Sequence, residues 1–452
     1  MNYPRINFYL LCVIFFLLFT GLIASYAIIK VHSKRHQPFK IDLENVLAYT
    51  HLPSYTRGDS IPVFIHTTKD ATAELYRWGA TLEKTTYTCH ISKQLQSTIF
   101  DPFNGFSWNV SLCIPTHNLK SGYYFLKIVQ PGDTINQYTL SVIVKPASPP
   151  PIAVIASTNT WQSYNTYGGL SNYENKRVPW YLKTIYWYSN YTDYIPPHLP
   201  FARPYQNHQD FLEHSNPFHE TESPMAAEWN MVAFLESKGY EGMYGVYSDF
   251  DLNSDFSILN SDVWVFNVHS EYWSNTMMGM YKRYLDKGGK VIWASGNNMY
   301  REIDNYEGGI FVSNQIISSH TPLSLTGTFS FKAEAGLHTF APYKIVNSKH
   351  WVFNDTTIHD NTVFGKYSSL SSGENEYGAS GMETDRTGLE SDSFQVLATG
   401  MNPFGAAHMV FKETPKGGWI FNASSISFSG ALTQDTIIDG IVINLIKDAV
   451  KK

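Results

Sequence analysis

The stretch Lys145-Pro-Ala-Ser-Pro-Pro-Pro151 constrains this chain more than any other. Proline fixes φ and donates no backbone hydrogen bond, so neither a helix nor a central strand can run through it. The hydrophobic pattern changes across this boundary. Before it, short runs with alternating apolar residues recur, such as Ile61-Pro-Val-Phe-Ile65, Tyr124-Phe-Leu-Lys-Ile128 and Tyr138-Thr-Leu-Ser-Val-Ile-Val144. Turn signals such as Ser121-Gly122 separate them, and the pattern predicts a β-sandwich of immunoglobulin-like size over 38–146. After the prolines the apolar runs become continuous: Ile152-Ala-Val-Ile-Ala156, Val263-Trp-Val-Phe-Asn-Val268 and Val291-Ile-Trp-Ala294. Continuous runs of this length mark strands buried on both faces. A helix is expected over 222–238, with Met225, Trp229, Val232 and Leu235 on one face and Gly239 closing it. A second is expected from the cap Ser274 to Lys287, ended by Gly288-Gly289. This β-α-β-α-β order predicts a parallel, doubly wound α/β sheet in a domain spanning 147–452. Further strands are expected over 394–399, 407–411 and 419–421, and a last helix over 433–450 with Thr433 as N-cap.

The first 37 residues are a separate matter. From Phe8 to Ile29 the chain is apolar over about 20 residues, enough to span a bilayer. It reads either as an uncleaved anchor helix or as a signal peptide cut after Ser25-Tyr26-Ala27. Arg5 precedes the segment while Lys30, Lys34 and Arg35 follow it, a charge bias that favours a cytoplasmic C-terminal side. The cysteines argue the other way. Only Cys89 and Cys113 follow the segment, and a lone pair fits one disulfide in an oxidising compartment. Such a bridge would close a loop of about 25 residues and stabilise by on the order of 3 kcal/mol. The expectation is therefore a membrane-anchored or secreted protein with its bulk outside the cytoplasm. The sequons at Asn109, Asn190, Asn354 and Asn422 matter only in a glycosylating host.

Nucleic acid is excluded as the main partner. The formal net charge is -6, and no basic stripe, RNP-like motif or zinc finger is present. Familiar catalytic signatures are also missing: no HExxH, CxxC, P-loop, GxGxxG after a strand or GxSxG. No cysteine follows Cys113, which excludes thiol catalysis in the α/β part.

Position then becomes the guide, because ligands of a parallel α/β sheet bind beyond the carboxyl ends of its strands. Three strand-exit loops are rich in polar and aromatic groups: Asn159-Thr-Trp-Gln-Ser-Tyr164-Asn-Thr-Tyr-Gly-Gly169, His269-Ser-Glu271-Tyr-Trp273, and Ser295-Gly-Asn297-Asn298. His269 and Glu271, two apart, point the same way where the chain is extended. The first of these loops opens a long irregular segment, rich in Tyr, Trp, Pro and Asn, that reaches about Pro217. Loops of that length inside a domain are usually functional or disordered, and the aromatic content argues against disorder.

These strings, with Phe201-Ala-Arg-Pro-Tyr205, Tyr76-Arg-Trp-Gly79, Ser121-Gly-Tyr-Tyr124 and Gly417-Gly-Trp-Ile-Phe-Asn422, resemble the large (β) subunit of N,N-dimethylformamidase and its relatives. The resemblance covers nearly everything after the apolar segment. It implies a glutamine-amidotransferase-like α/β sheet and a mononuclear iron (Fe3+) held by two tyrosines and a glutamate, which match Tyr164, Tyr205 and Glu271. Phenolate and carboxylate are hard anionic donors suited to a ferric ion, which would polarise an amide carbonyl as a Lewis acid. The resemblance places His269 and Asn297 beside the metal, His269 to hydrogen-bond substrate or water and Asn297 to orient the carbonyl or support an oxyanion. It also implies a distant glutamate as general base, matched here to Glu383, with Glu374 and Glu376 as alternatives.

The function implied is metal-dependent hydrolysis of a carbon–nitrogen amide bond in a small amide. The chain is short for the family's known enzyme: a lectin-like part and the region preceding the sandwich have no counterpart here. A binding module is the competing reading, with Trp161, Tyr164, Trp180, Trp187 and Trp273 as stacking platforms for a surface glycan. A family member that keeps the fold without activity is the third. Oligomerisation is compatible with all three.

Overall fold

The computed structural model describes residues 37–450 apart from 133–136, 174–197, 206–224, 332–338, 355–357, 372–376, 389–390, 392 and 404. Residues 8–29, Trp180, Trp187, Asn190, Glu374 and Glu376 lie outside the described residues. No helix among the described residues is long and apolar enough to cross a membrane.

Alternation before the prolines builds strands whose apolar sides meet. One sheet runs Ser54–Thr56, Gln137–Lys145, Gly122–Val129, Ala71–Trp78, Leu82–Ile91. A second runs Val46–Tyr49, Ser60–Thr67, Leu112–Pro115. The inward side chains, among them Leu47, Ile61, Val63, Ile65, Ala73, Leu75, Leu126 and Val142, are fully or almost fully buried in one core. The expected disulfide is absent. Cys89 and Cys113 are free thiols, Cys89 half-buried and Cys113 exposed; they lie on strands of different sheets, Cys89 opposite Ala73 and Cys113 opposite Pro62.

After the prolines the continuous runs do make buried strands, but the doubly wound, glutamine-amidotransferase-like α/β sheet is not what they form. The sheet is mixed and nine-stranded, in the order Tyr244–Ser248, Ile152–Ala156, Val263–Val268, Lys290–Ser295, Trp419–Asn422, His408–Glu413, Gln395–Gly400, Tyr343–Ile345, Val363–Phe364. The first five pair in parallel, and every later pairing is antiparallel. Among the described residues strand outweighs helix, 39% against 21%. The reason lies in the connections. A parallel neighbour needs a crossover of about a dozen residues or more, whereas residues 401–407 and 414–418 are tight links that return the chain beside itself. A further sheet, His198–Pro200, Gly309–Ile316, Arg301–Tyr306, Tyr272–Trp273, carries Leu199, Tyr272, Ile303 and Ile310 into the same core as the N-terminal strands.

The helices follow their caps. Ser274 accepts from the Met277 amide and starts Asn275–Asp286. The last helix, Thr436–Ala449, is capped by Asp435, which accepts from Ile437 and Ile438. The expected cap, Thr433, instead lies in the left-handed region at φ 65°. Helix Met225–Ser237 lies against the N-terminal strands, with Trp229 stacked on Trp78 at 5.0 Å.

Polar ties close the same interface. Arg77 pairs with Glu236 and donates to the Tyr244 hydroxyl at 2.8 Å. Tyr123 donates to Glu228 at 2.8 Å. Asp251 accepts from Ser54 at 2.8 Å and from Lys145 at 2.9 Å. Three resembling strings therefore act at this joint: Arg77 and Trp78 in the first, Tyr123 in the second, and Trp161 through Glu228 in the third.

Candidate active site

Two adjacent parallel strands, Val263–Val268 and Lys290–Ser295, end side by side, paired through Val268 and Ser295. Both chains turn at once, on residues that rarely adopt such angles. Val268 has φ 57°, Asn297 and Met299 each φ 52°, and on two neighbouring segments Met382 has φ 71° and Ser424 φ 61°. Left-handed backbone at non-glycine residues costs on the order of 1–3 kcal/mol each and gathers where a site dictates geometry. Gly296 permits the turn: a Cβ there would lie 2.6 Å from the Glu383 carbonyl and 2.7 Å from the Ile426 amide.

The two loops are stitched together. The Met299 amide donates to Ser270 at 3.0 Å, and the amides of Tyr300 and Arg301 both donate to the Glu271 carbonyl, at 2.9 and 3.0 Å. Asp385 holds the second loop from the other side, its carboxylate accepting from Asn297 N at 3.1 Å and Asn298 N at 3.2 Å. Burial pushes the Asp385 carboxyl up to about 8 despite these amides.

The side chains converge as follows. His269 Nε2 lies 3.2 Å from Glu271 and 3.3 Å from Glu383. Asn297 Nδ2 donates to Glu383 at 2.6 Å and lies 3.5 Å from His269 Nε2. Tyr164, at the end of helix Thr158–Tyr164, donates to Glu271 at 3.4 Å. Arg301 Nε stands 3.5 Å from the other Glu271 oxygen. Of the residues singled out from the sequence, five thus meet: Tyr164, His269, Glu271, Asn297 and Glu383. Tyr205 is not joined to this cluster by any of these bonds. Its backbone is fixed by the Tyr138 hydroxyl, which donates to the Tyr205 carbonyl and accepts from its amide, and its side chain lines a small cleft with Trp161, Arg203 and Tyr49.

Burial of His269 works to lower its pKa, but the two carboxylates outweigh it and lift the imidazole to about 10. Burial raises the Tyr164 phenol well above its ordinary value, and the nearby Tyr173, Glu271 and Glu383 raise it further. Glu271 and His269 are almost fully enclosed, whereas the Glu383 side chain is 22% exposed. Asn297 Oδ1 is buried and accepts no hydrogen bond among the described residues.

The donor chemistry fits a cation. Phenol and carboxylate oxygens face each other at 3.4 Å, near the separation of about 3 Å that two oxygens take when they share one metal ion. Among the described residues no three His, Cys, Asp or Glu side chains form a metal-holding group, so a set here would draw on a further kind of oxygen donor, such as the Tyr164 phenol beside Glu271. Trp161 and Trp273 are 5% and 0% exposed, and neither offers a ring face to a sugar.

Several residues of the site gave no signal in the sequence reading. Asp385 lies two residues from Glu383 but acts on the Asn297 loop through folding alone. Tyr173 donates to the Tyr164 hydroxyl at 3.0 Å. Glu228 accepts from Ser157 N and Trp161 Nε1, each at 3.0 Å, behind the helix that carries Tyr164.

No curated protein matches the chain. The family model described as "N,N-dimethylformamidase beta subunit-like, C-terminal" matches residues 72–315 and 309–439. That match takes in most of both halves and every residue of the cluster, and the chain belongs to the N,N-dimethylformamidase beta subunit-like family.

Proposed function

We propose that this protein is a metal-dependent hydrolase of a carbon–nitrogen amide bond in a small amide, with iron (Fe3+) as its metal. The observation that carries the reading is the convergence of Tyr164, Glu271, His269, Asn297 and Glu383 at two adjoining strand ends, in a chain of this family. Tyr164 and Glu271 would hold the ion, with Tyr205 as the third ligand implied by resemblance. A ferric ion there supplies Lewis acidity toward the amide carbonyl.

The protein's own groups supply the rest. Glu383 is the most open of the carboxylates and is oriented by Asn297, which suits it to take a proton from water. Asn297 uses its Nδ2 on Glu383, so its free atom is the acceptor Oδ1, matched to an amide N–H rather than to an oxyanion. His269, between the two carboxylates, holds them together and presents its proton at Nε2. The apolar segment 8–29 supports a membrane-anchored or exported location; the free thiols lend it no support.

The test is elemental analysis and a visible spectrum of the purified full-length chain beside Tyr164→Phe. About one iron per chain, a tyrosinate-to-ferric absorption band, and loss of both in the variant are expected, together with amide hydrolysis by the parent. A parent chain that holds no metal and shows no colour after anaerobic reconstitution refutes the mechanism.

A further inference from the structure

Tyr164 is the end of a line of hydroxyls, all hydrogen-bonded in one direction. Asn172 Nδ2 donates to the Tyr272 hydroxyl at 2.7 Å. Tyr272 donates to the Tyr173 hydroxyl at 3.2 Å. Tyr173 donates to the Tyr164 hydroxyl at 3.0 Å, and Tyr164 donates to Glu271 at 3.4 Å. The order is built by the fold. Tyr272 is fixed on the short strand beside Arg301, directly after Glu271. Asn172 and Tyr173 are brought to it by the Asn172 amide, which donates to the Ser163 carbonyl at 2.8 Å and turns the chain back along helix Thr158–Tyr164. The rings of Tyr164 and Tyr173 then pack at 4.7 Å. Tyr272 is completely buried, so its hydroxyl has to find its partners inside the protein.

We infer that Tyr173 is a positioning residue for Tyr164, its hydroxyl supplying the hydrogen bond that supports Tyr164 oxygen as an anionic ligand. The inference rests on the metal reading of the site. A phenolate that has given up its proton becomes acceptor-only, and it sits here beside Glu271, which repels the charge. Among the described residues, the hydrogen aimed at it comes from Tyr173. Tyr272 and Asn172 keep that hydrogen pointing inward, because the Tyr173 oxygen is already occupied as an acceptor. Partners of this kind, one bond removed from a metal, tune the ligand and fix its direction.

The experiment uses the full-length chain and iron itself. Tyr173→Phe removes one oxygen and keeps the ring that packs on Tyr164. Expected are iron binding about 10-fold weaker or more in chelator competition, and a charge-transfer band moved to longer wavelength, since a phenolate that loses its donor gives up an electron more easily. Asn172→Ala, at the partly exposed end of the line, is expected to move the band the same way by less, and it provides the test should Tyr173→Phe fail to fold. An iron-loaded parent whose band and affinity are unchanged in the foldable variants overturns this inference and leaves the metal reading standing. A parent that takes up no iron overturns both.

Discussion

Glu228 carries a carboxyl where a carboxylate is costly, and the cost should be visible as pH. The side chain is 1% exposed. Burial raises its pKa from 4.5 to about 8, although hydrogen bonds from Ser157, Tyr123 and Trp161 pull the other way. A folded-state pKa above the unfolded one means that the folded protein binds the extra proton. The stabilisation is complete below pH 4.5, declines as pH rises, and is gone above about 8. At 1.36 kcal/mol per pH unit, the interval amounts to on the order of 5 kcal/mol. Glu228→Gln should remove this slope without removing the bonds. Oε1 can still accept from Ser157 N and Trp161 Nε1, which both use that atom. The new amide can donate to the Tyr123 hydroxyl, which now donates to Oε2. Urea unfolding of parent and variant at steps from pH 4.5 to 8.5 is the assay. The variant should match the parent near pH 4.5 and exceed it by several kcal/mol near pH 8. Parallel curves would show that Glu228 is ionised in the folded protein, and would refute the argument from burial.

Two further substitutions probe the turn that presents Asn297. Asp385→Asn leaves one acceptor oxygen where the carboxylate now receives two amides. An orphaned buried N–H costs about 1–3 kcal/mol, so a lower unfolding midpoint and a larger loss in kcat than in KM are expected; an unchanged kcat would show that the Asn297 loop needs no such anchor. Gly296→Ala places a methyl within 2.9 Å of three backbone groups, at Glu383, Ser425 and Ile426. Overpacking of this kind costs about 1–3 kcal/mol, and calorimetry should show the loss, with amide hydrolysis reduced because Glu383 is the group displaced.

Strand positions were legible wherever the residues were apolar in a continuous run. The run 152–156 is a strand with those bounds, and 263–268 likewise. Pairing partners were not legible, since a buried strand carries the same apolar run whether its neighbour is parallel or antiparallel. The deciding feature was the length of chain between His408–Glu413 and its neighbours on either side, not the composition of any strand. At the site, the strings that hold Tyr164, His269, Glu271 and Asn297 were legible because they follow strand ends, where parallel sheets place their ligands, although Tyr164 closes a short helix there rather than a loop; their individual roles came from the resemblance. Glu383 entered by resemblance alone, and the structure puts it 3.3 Å from His269. Asp385 and Glu228 escaped notice because each acts through a long-range hydrogen bond, and sequence spacing carries no trace of a contact between residues 385 and 297. Tyr173 is only nine residues from Tyr164, but the turn that brings its hydroxyl back depends on the Asn172 amide finding the Ser163 carbonyl.

The proline run suggests two units that could be separated, and the packing argues against it. Trp78, Tyr123, Phe125 and Ile143 from before the run belong to the core that contains Val154, Leu235 and Leu445. In return, Tyr167, Leu199, Phe201 and Tyr272 from after it complete the core of the N-terminal strands. Glu228 joins Tyr123 on one side to Trp161 on the other, and Trp161 is one helical turn from Tyr164. A fragment spanning 147–452 would expose all of those faces, each large apolar side chain costing about 1.5–3 kcal/mol. It would also leave Glu228 and Glu236 without Tyr123 and Arg77. The expected result is that this fragment, expressed alone, shows no cooperative unfolding transition and binds no iron, while co-expression with residues 38–146 restores both. A fragment that unfolds cooperatively on its own would mean that the N-terminal strands are an appendage, and that the site near Tyr164 is held by the nine-stranded sheet alone.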